Sequence, residues 1–251
     1  MQPYQRYLTQ ESKPFDPIKL AEQTNQIVCR DDKRKYTGLY CVGVYGGIST
    51  GFAVGCCLRC IFCWVNKSRD FPEKFGKFYS SNQAFDILTK NANKKNTPRL
   101  RISGGEPLLC KQHLLNLLDL VDKTNYLFIL ETNGILLDKS YAKQLAKHKK
   151  IRVRVSLKAG NSQGFQTRTG AMGKYYELPF KAIQNLLNEG ISMHAAAMTD
   201  PRLMPREERT QLIQKLADID LKLAHNLEEE RCDHYPNAIE RLRHAGFDIF
   251  R

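Results

Sequence analysis

From Gly51 onward, short apolar segments alternate with longer amphipathic segments, and this alternation limits the possible folds more than any other feature. The apolar segments predict six strands, at residues 51–54, 100–103, 126–131, 151–157, 191–198 and 220–225. The amphipathic segments predict six helices, at residues 81–95, 111–123, 138–147, 175–189, 205–217 and 236–245. Strands that alternate with helices indicate an α/β fold with a parallel sheet and right-handed crossovers.

Six strand–helix units are too few for a closed eight-stranded barrel. The pattern leaves two architectures open, an open partial barrel and a doubly wound sheet. Residues 36–48 predict a hairpin or extended segment that turns at Gly46 and Gly47. We therefore expect an N-terminal extension over residues 1–50 that caps a single domain over residues 51–251.

Charge and hydropathy narrow the function classes. No apolar run approaches the roughly 18 residues that a membrane span needs. Residues 1–17 lack the apolar stretch of a signal peptide, so we expect a cytoplasmic protein without a membrane partner. The net charge of +13 predicts either a solvated basic surface or attraction to polyanions such as nucleic acid.

Cys56, Cys60 and Cys63 have C-x3-C-x2-C spacing on one Gly-rich loop. Thiolates at this spacing can each reach a different iron of a [4Fe–4S] cluster and leave the fourth iron without a protein ligand. Zinc is the main alternative, and it would need a fourth ligand. Three free cysteines on a loop are a further alternative.

The remaining cysteines have open roles. Cys29, Cys41, Cys57, Cys110 and Cys232 could bind a second cluster or metal. The fourth ligand of a zinc site could come from Cys57, Cys110 or Cys232. Cys110 begins a predicted helix, where a partly buried thiol is the favoured interpretation.

A second motif follows the second predicted strand, where Gly104, Gly105, Glu106 and Pro107 come in succession. Glycines let a ligand approach the backbone closely. The carboxyl ends of barrel strands are where ligands bind. The backbone carbonyls and the Glu106 carboxylate could accept hydrogen bonds from an ammonium group.

The cysteine spacing and the Gly-Gly-Glu motif together resemble the radical S-adenosylmethionine (SAM) superfamily over roughly residues 51–200. The resemblance implies an open partial (β/α)6 barrel of the TIM type, with a [4Fe–4S] cluster at its mouth. It also implies that SAM binds the open iron, that Phe62 lies against the adenine, and that Gly104, Gly105 and Glu106 meet the amino group.

Two further segments resemble the activating enzymes of glycyl-radical enzymes, such as that of pyruvate formate-lyase. Thr132 and Asn133 belong to an E-T-N-G segment, and Ser156 and Lys158 lie where that group has D-L-K. The resemblance implies that these residues contact SAM, although Ser156 replaces the acid. The segment Cys60-Ile61-Phe62-Cys63-Trp64 is similar to C-x-F-C-W of the wybutosine-synthesis enzyme.

The resemblance implies an enzyme that cleaves SAM reductively to a 5′-deoxyadenosyl radical and abstracts hydrogen from a substrate. A glycyl-radical enzyme is the first expected substrate, and RNA, a small molecule or a peptide is the alternative. Flavodoxin or ferredoxin is the expected electron donor. A module that transfers electrons or senses redox state without cleaving SAM is a non-enzymatic alternative.

Side-chain alternation along the strands places several cations inside the predicted barrel. If Ser156 and Lys158 face the lumen, then Arg152 and Arg154 share their face, and Arg101 shares the face of Ser103. These arginines could bind an anionic group of SAM or substrate. Alternatively, they could form buried ion pairs with a lumen carboxylate such as Glu131.

Overall fold

The computed structural model describes residues 4–250 and contains a nine-stranded mixed sheet with helices packed against it. The strands are β1 (Cys29–Arg30), β2 (Lys33–Val42), β3 (Ile48–Ala53), β4 (Lys77–Ser80), β5 (Arg99–Gly104), β6 (Leu127–Thr132), β7 (Ile151–Leu157), β8 (Met193–Met198) and β9 (Glu228–Glu230). The α-helices are α1 (Pro17–Val28), α2 (Ser81–Lys94), α3 (Lys111–Asp122), α4 (Lys139–Leu145), α5 (Ser162–Thr169), α6 (Leu178–Asn188), α7 (Arg206–Ile219), α8 (Leu221–His225) and α9 (Pro236–His244). Short 3₁₀ helices span Val44–Gly46 and Gly173–Glu177.

The strand order decides between the two architectures that the sequence left open. Strands β3, β5, β6, β7, β8 and β9 are parallel neighbours in chain order. A doubly wound sheet would reverse this order at a switch point. Within residues 4–250, β9 pairs only with β8, so the sheet does not close. The fold is the predicted open partial barrel.

The hairpin predicted near Gly46 and Gly47 is present as antiparallel β2 and β3. It extends the barrel sheet at its first strand, and β4 pairs with the other edge of β2. The sequence pattern missed α1, which begins at Pro17 with Asp16 as its N-cap. It also missed β4 and α5.

Five of the six predicted strands are confirmed, and the sixth is wrong. Residues 220–225 form α8, because the Asp220 side chain caps the helix at the backbone N–H of Lys222. The apolar alternation misled the prediction, since Leu221 lies 67% exposed and does not face the core. Strand β9 takes the sixth barrel position instead and pairs with residues 196–198 of β8.

Alternating strand residues separate the helix layer from the lumen. On β7, Val153 and Val155 are fully buried beneath the helices, as Leu100 and Ile102 are on β5. Burial of such aliphatic side chains contributes about 1.5–3 kcal/mol each, and it fixes which face of each strand points inward. The carboxyl ends of the strands therefore meet at one mouth.

No helix among residues 4–250 is long and apolar enough to cross a membrane.

Candidate functional site

The loop of residues 56–63, called the cysteine loop here, follows β3 and lies at the barrel mouth. Cys60 is buried, and Cys56 and Cys63 are partly buried. Two backbone hydrogen bonds tie the loop to the end of α5, from Arg59 N–H to the Thr169 carbonyl at 3.0 Å and from Ile61 N–H to the Arg168 carbonyl at 3.0 Å. The loop therefore has a fixed position on the barrel.

Three buried arginines hold the cysteine loop from behind. Arg59 donates to the Cys56 carbonyl at 2.8 Å, Arg69 to the Cys60 carbonyl at 2.7 Å and Arg241 to the Cys63 carbonyl at 2.5 Å. Arg241 comes from α9, far along the chain, so the sequence pattern gave no signal for its role. Asp70 pairs with both Arg69 and Arg241.

The thiol environments differ along the loop. A hydrogen bond from Cys57, the Leu58 N–H at 3.4 Å and the charges of Arg59 and Arg69 hold the pKa of Cys56 below its usual range. Burial raises the pKa of Cys60 to about 12. A metal at this loop would replace the Cys60 proton, because thiolates are the ligands that iron binds.

Among residues 4–250, no three His, Cys, Asp or Glu side chains lie close enough together to hold a single metal ion. A mononuclear zinc site takes such a convergent group, with four ligands on one ion. An iron–sulfur cubane instead takes one thiolate at each of three separate irons. The soft thiol donors, the N–H groups directed at sulfur and the arginines behind the loop suit that group.

The other five cysteines have partners of their own. Cys29 and Cys110 form a disulfide with Cα atoms 5.4 Å apart, because the fold brings the end of α1 to the start of α3. The prediction of a free thiol at Cys110 is therefore wrong. Cys41 donates to a backbone carbonyl in α2, Cys57 contacts Asn133, and Cys232 is buried against Asp200.

The Gly104-Gly105-Glu106 segment lies directly against the start of the cysteine loop. Gly105 N–H donates to the Ala53 carbonyl at 2.8 Å, and Glu106 N–H donates to the Gly55 carbonyl at 2.9 Å. A Cβ on Gly105 would lie 2.0 Å from the Gly55 oxygen. The close approach that requires this glycine is thus an approach of protein backbone.

The Glu106 carboxylate is buried and has three protein donors. It accepts from Thr132 Oγ1 at 2.6 Å, Asn133 N–H at 2.9 Å and Leu108 N–H at 3.0 Å. Burial and the nearby Cys56 raise the pKa of Glu106 to about 7. Asn133 Nδ2 in turn points to Cys56 Sγ at 3.7 Å. Glu106 thus joins the ends of β5 and β6 to the cysteine loop.

A second group of predicted residues lies at the end of β7. The Lys158 ammonium lies 2.5 Å from Ser156 Oγ and 5.9 Å from the centre of the Phe62 ring. Ser156 Oγ lies 3.4 Å from a carboxylate oxygen of Glu230 on β9. The sequence pattern did not single out Glu230, because residue 230 falls between the predicted strand at 220–225 and the predicted helix at 236–245.

The lumen arginines have carboxylate partners. Arg101 pairs with Glu131 at 2.9 Å, and Arg154 pairs with Glu228 and Glu230, each at 2.8 Å. Side-chain alternation correctly placed both arginines in the lumen. These contacts favour the ion-pair alternative over anion binding. Arg152 lies exposed at the other end of β7 and takes no part.

Four aromatic side chains, called the aromatic row here, lie beside the cysteine loop: Tyr40, Phe52, Trp64 and Tyr235. Successive ring centres lie 4.6, 6.3 and 6.3 Å apart. Tyr40, Trp64 and Tyr235 are between 44% and 52% exposed. The row links the hairpin, the residue after Cys63 and the segment before α9, and it offers an exposed aromatic surface at the mouth.

Comparison with known proteins identifies the family. The radical SAM superfamily model matches residues 51–216. A probable GTP 3′,8-cyclase of Methanococcus maripaludis is 31% identical over 137 residues, which cover 55% of this chain and 44% of that protein. The chain thus spans less than half of that relative's length.

Solved structures share the fold. SuiB of Streptococcus suis bound to the precursor peptide SuiA has a TM-score of 0.60 at 19% identity, covering 77% of this chain and 42% of SuiB. TYW1 with a lysine–pyruvate adduct has a TM-score of 0.53 at 18% identity, covering 74% of this chain and 65% of TYW1. Because the family match covers more than half of the chain, this protein belongs to the radical SAM superfamily of enzymes.

Proposed function

We propose that Cys56, Cys60 and Cys63 bind a [4Fe–4S] cluster at three irons and that SAM binds at the fourth. When bound, the cluster supplies the electron that cleaves SAM to methionine and a 5′-deoxyadenosyl radical, which abstracts hydrogen from a substrate. One observation carries the proposal: the cysteine loop meets the ends of β5, β6 and β7, where the remaining predicted residues lie. Barrel enzymes bind their ligands at this end.

The residues at the end of β7, together with Phe62 of the cysteine loop, suit the adenosine and carboxylate groups of SAM. Phe62 offers an aromatic face for the adenine, and Lys158 offers an ammonium for the carboxylate. Ser156 replaces the acid of the activating enzymes, but Glu230 brings a carboxylate to within 3.4 Å of its hydroxyl. We propose that Ser156 and Glu230 together accept hydrogen bonds from the ribose hydroxyls.

The residues at the ends of β5 and β6 have a different task. The carboxylate of Glu106 is already bound by Thr132, Asn133 and Leu108. We propose that it orders these strand ends, while backbone carbonyls of Gly104 and Gly105 remain for the SAM amino group. Asn133 then connects the ordered strand ends to Cys56.

For the substrate, we propose a polypeptide, with a glycyl-radical enzyme as the first candidate and flavodoxin or ferredoxin as the electron donor. SuiB bound to its precursor peptide and anSMEcpe bound to a peptide share the fold, the latter with a TM-score of 0.51. The sheet is open between its end strands β1 and β9, which leaves a side through which a protein loop can enter. The aromatic row borders the mouth and offers apolar contact area.

RNA is the second candidate substrate, and a small molecule is the third. The net charge of +13 attracts a polyanion, and exposed aromatic side chains such as Trp64 and Tyr235 can stack on bases. Steep weakening of transfer RNA binding with salt, together with loss of binding in Trp64→Ala, would favour RNA over a polypeptide.

The test is anaerobic reconstitution with iron and sulfide, followed by SAM and dithionite. We expect a cluster spectrum that changes on addition of SAM and release of 5′-deoxyadenosine, which a true substrate stimulates. Cys60→Ser should lose the cluster and the release, whereas Cys41→Ser should keep both, because Cys41 lies on the hairpin and donates to the Asn91 carbonyl of α2. A wild-type cluster that ignores SAM would contradict the proposal.

A further inference from the structure

The three arginines behind the cysteine loop share one arrangement. Each donates a guanidinium N–H to the backbone carbonyl of a different proposed cluster ligand, at 2.5 to 2.8 Å. Arg59, Arg69 and Arg241 are 0%, 1% and 5% exposed. The charges therefore lie against the backbone of the three cysteines and out of contact with bulk water.

Protein carboxylates neutralise only part of this charge. Asp70 pairs with Arg69 at 2.6 Å and with Arg241 at 2.5 Å. Arg59 donates to the carbonyls of Gln5, Cys56 and Leu58, and within residues 4–250 no carboxylate pairs with it. Among these four residues, three cations against one anion leave two net positive charges.

Carbonyl groups satisfy the hydrogen bonds of a guanidinium but not its charge. A buried charge without a counter-charge is costly, and proteins normally pair it with an ion of opposite sign or a metal group. A guanidinium cannot escape that cost by losing its proton. The arrangement thus suits an anion on the other side of the cysteine carbonyls.

We propose that Arg59, Arg69 and Arg241 are positioning residues that favour reduction of the cluster electrostatically. This inference rests on the proposed function. The step is the transfer of one electron from a flavodoxin- or ferredoxin-type donor to the cluster. No proton moves and no covalent bond changes. The cluster with its three thiolates becomes more negative by one charge, and the buried arginines stabilise that added charge. Net charge and hydrogen bonding are among the main determinants of such potentials.

The test is a redox titration of the reconstituted protein, followed by electron paramagnetic resonance in the absence of SAM. In Arg59→Met, we expect the equilibrium constant for reduction by a fixed donor to fall at least about tenfold, which is about 59 mV for a one-electron couple. Arg59→Lys keeps the charge and should restore most of this loss. A purely structural role predicts no such rescue.

Two further variants complete the design. Asp70→Asn removes the one shared carboxylate and should shift the equilibrium toward the reduced cluster, the opposite sign to Arg59→Met. Arg168→Lys is the matched control for Arg59→Lys, because Arg168 is similarly buried but pairs with Glu208 and donates to carbonyls outside the cysteine loop. We expect no shift there. If Arg59→Met does not retain a cluster, the sign of the Asp70→Asn shift decides.

Unchanged reduction equilibria in both Arg59→Met and Asp70→Asn would overturn the inference, as would a shift toward the oxidised cluster in Asp70→Asn. Such results with intact SAM cleavage would leave the proposed function standing. Failure of the wild-type protein to bind a cluster would instead contradict the proposed function itself.

Discussion

The cysteine loop and the barrel lumen both contain buried arginines, yet these arginines have different kinds of partner. Behind the loop, Arg59, Arg69 and Arg241 donate mainly to backbone carbonyls, and a single carboxylate, Asp70, is shared between two of them. The loop side therefore retains positive charge.

In the lumen, every buried arginine described here faces carboxylates. Arg101 contacts Glu131, and Arg154 contacts Glu228 and Glu230. The two lumen arginines thus have three carboxylate partners inside the protein. The difference supports the proposal that the loop binds an anionic cluster, whereas the lumen arginines already have protein carboxylates as partners. Buried arginines in two parts of one fold therefore need not have the same role.

The largest loss of stability is expected when an arginine behind the cysteine loop is replaced. Arg241→Met leaves Asp70 without one of its two cations and leaves three carbonyls, those of Cys63, Val65 and Asn66, without their donor. Removing one partner of a buried pair costs about 3–5 kcal/mol of the free energy of unfolding. Urea denaturation of the protein without iron measures this.

Arg209→Met is the control for that measurement. Arg209 pairs with Glu229 on the surface, where both side chains are about 40% exposed. Such a pair contributes about 0–1 kcal/mol. Equal losses in the two variants would remove the distinction between buried and exposed arginines.

Replacement of a lumen arginine is expected to cause a smaller loss of stability. Arg154→Gln should lower the free energy of unfolding by about 1–3 kcal/mol, because it leaves carboxylates without their cation. The loss is smaller than for Arg241 because Glu228 and Glu230 are partly exposed to water. SAM affinity, measured by equilibrium dialysis, should stay unchanged. A large loss of SAM affinity with wild-type stability would show instead that Arg154 binds an anionic ligand.

Glu230→Gln tests whether a lumen carboxylate binds SAM in addition to pairing with Arg154. If Ser156 and Glu230 bind the ribose, SAM affinity should fall about tenfold, or about 1.4 kcal/mol. Glu228→Gln is the matched control, because Glu228 also pairs with Arg154 but does not contact Ser156. Isothermal titration of the reconstituted proteins compares them. Equal affinities in both variants would assign Glu230 to the ion pair alone.

The smallest effect is expected in the loss of stability at acid pH. Burial opposes ionisation of Asp70, but Arg69 and Arg241 outweigh burial and hold its pKa below the usual 3.8. A carboxyl group with a lowered folded pKa stabilises the protein above 3.8 and loses that contribution as the pH falls through the folded value. We expect urea midpoints to fall in this window, and less steeply in Asp70→Asn. An identical acid dependence in both proteins would show that other carboxyl groups carry it.

Much of the barrel and the site followed from local patterns. The periodic spacing of apolar residues and the turn residues predicted five of the six barrel strands. Each of these strands buries one face whatever its neighbours are. The pattern failed at residues 220–225, where a helix cap at Asp220 outweighed the alternation. It also missed β9, whose three glutamates have low strand propensity and depend on pairing with β8 and on Arg154 and Arg209.

The sequence by itself determined the alternation of strands and helices, the cysteine spacing and the lumen positions of Arg101 and Arg154, since each depends on short-range pattern. Only the tertiary structure decided what those residues touch. The disulfide between Cys29 and Cys110 and the contact of Arg241 with Cys63 join segments more than 80 residues apart. Such contacts depend on how the helices pack, so local sequence patterns do not predict them.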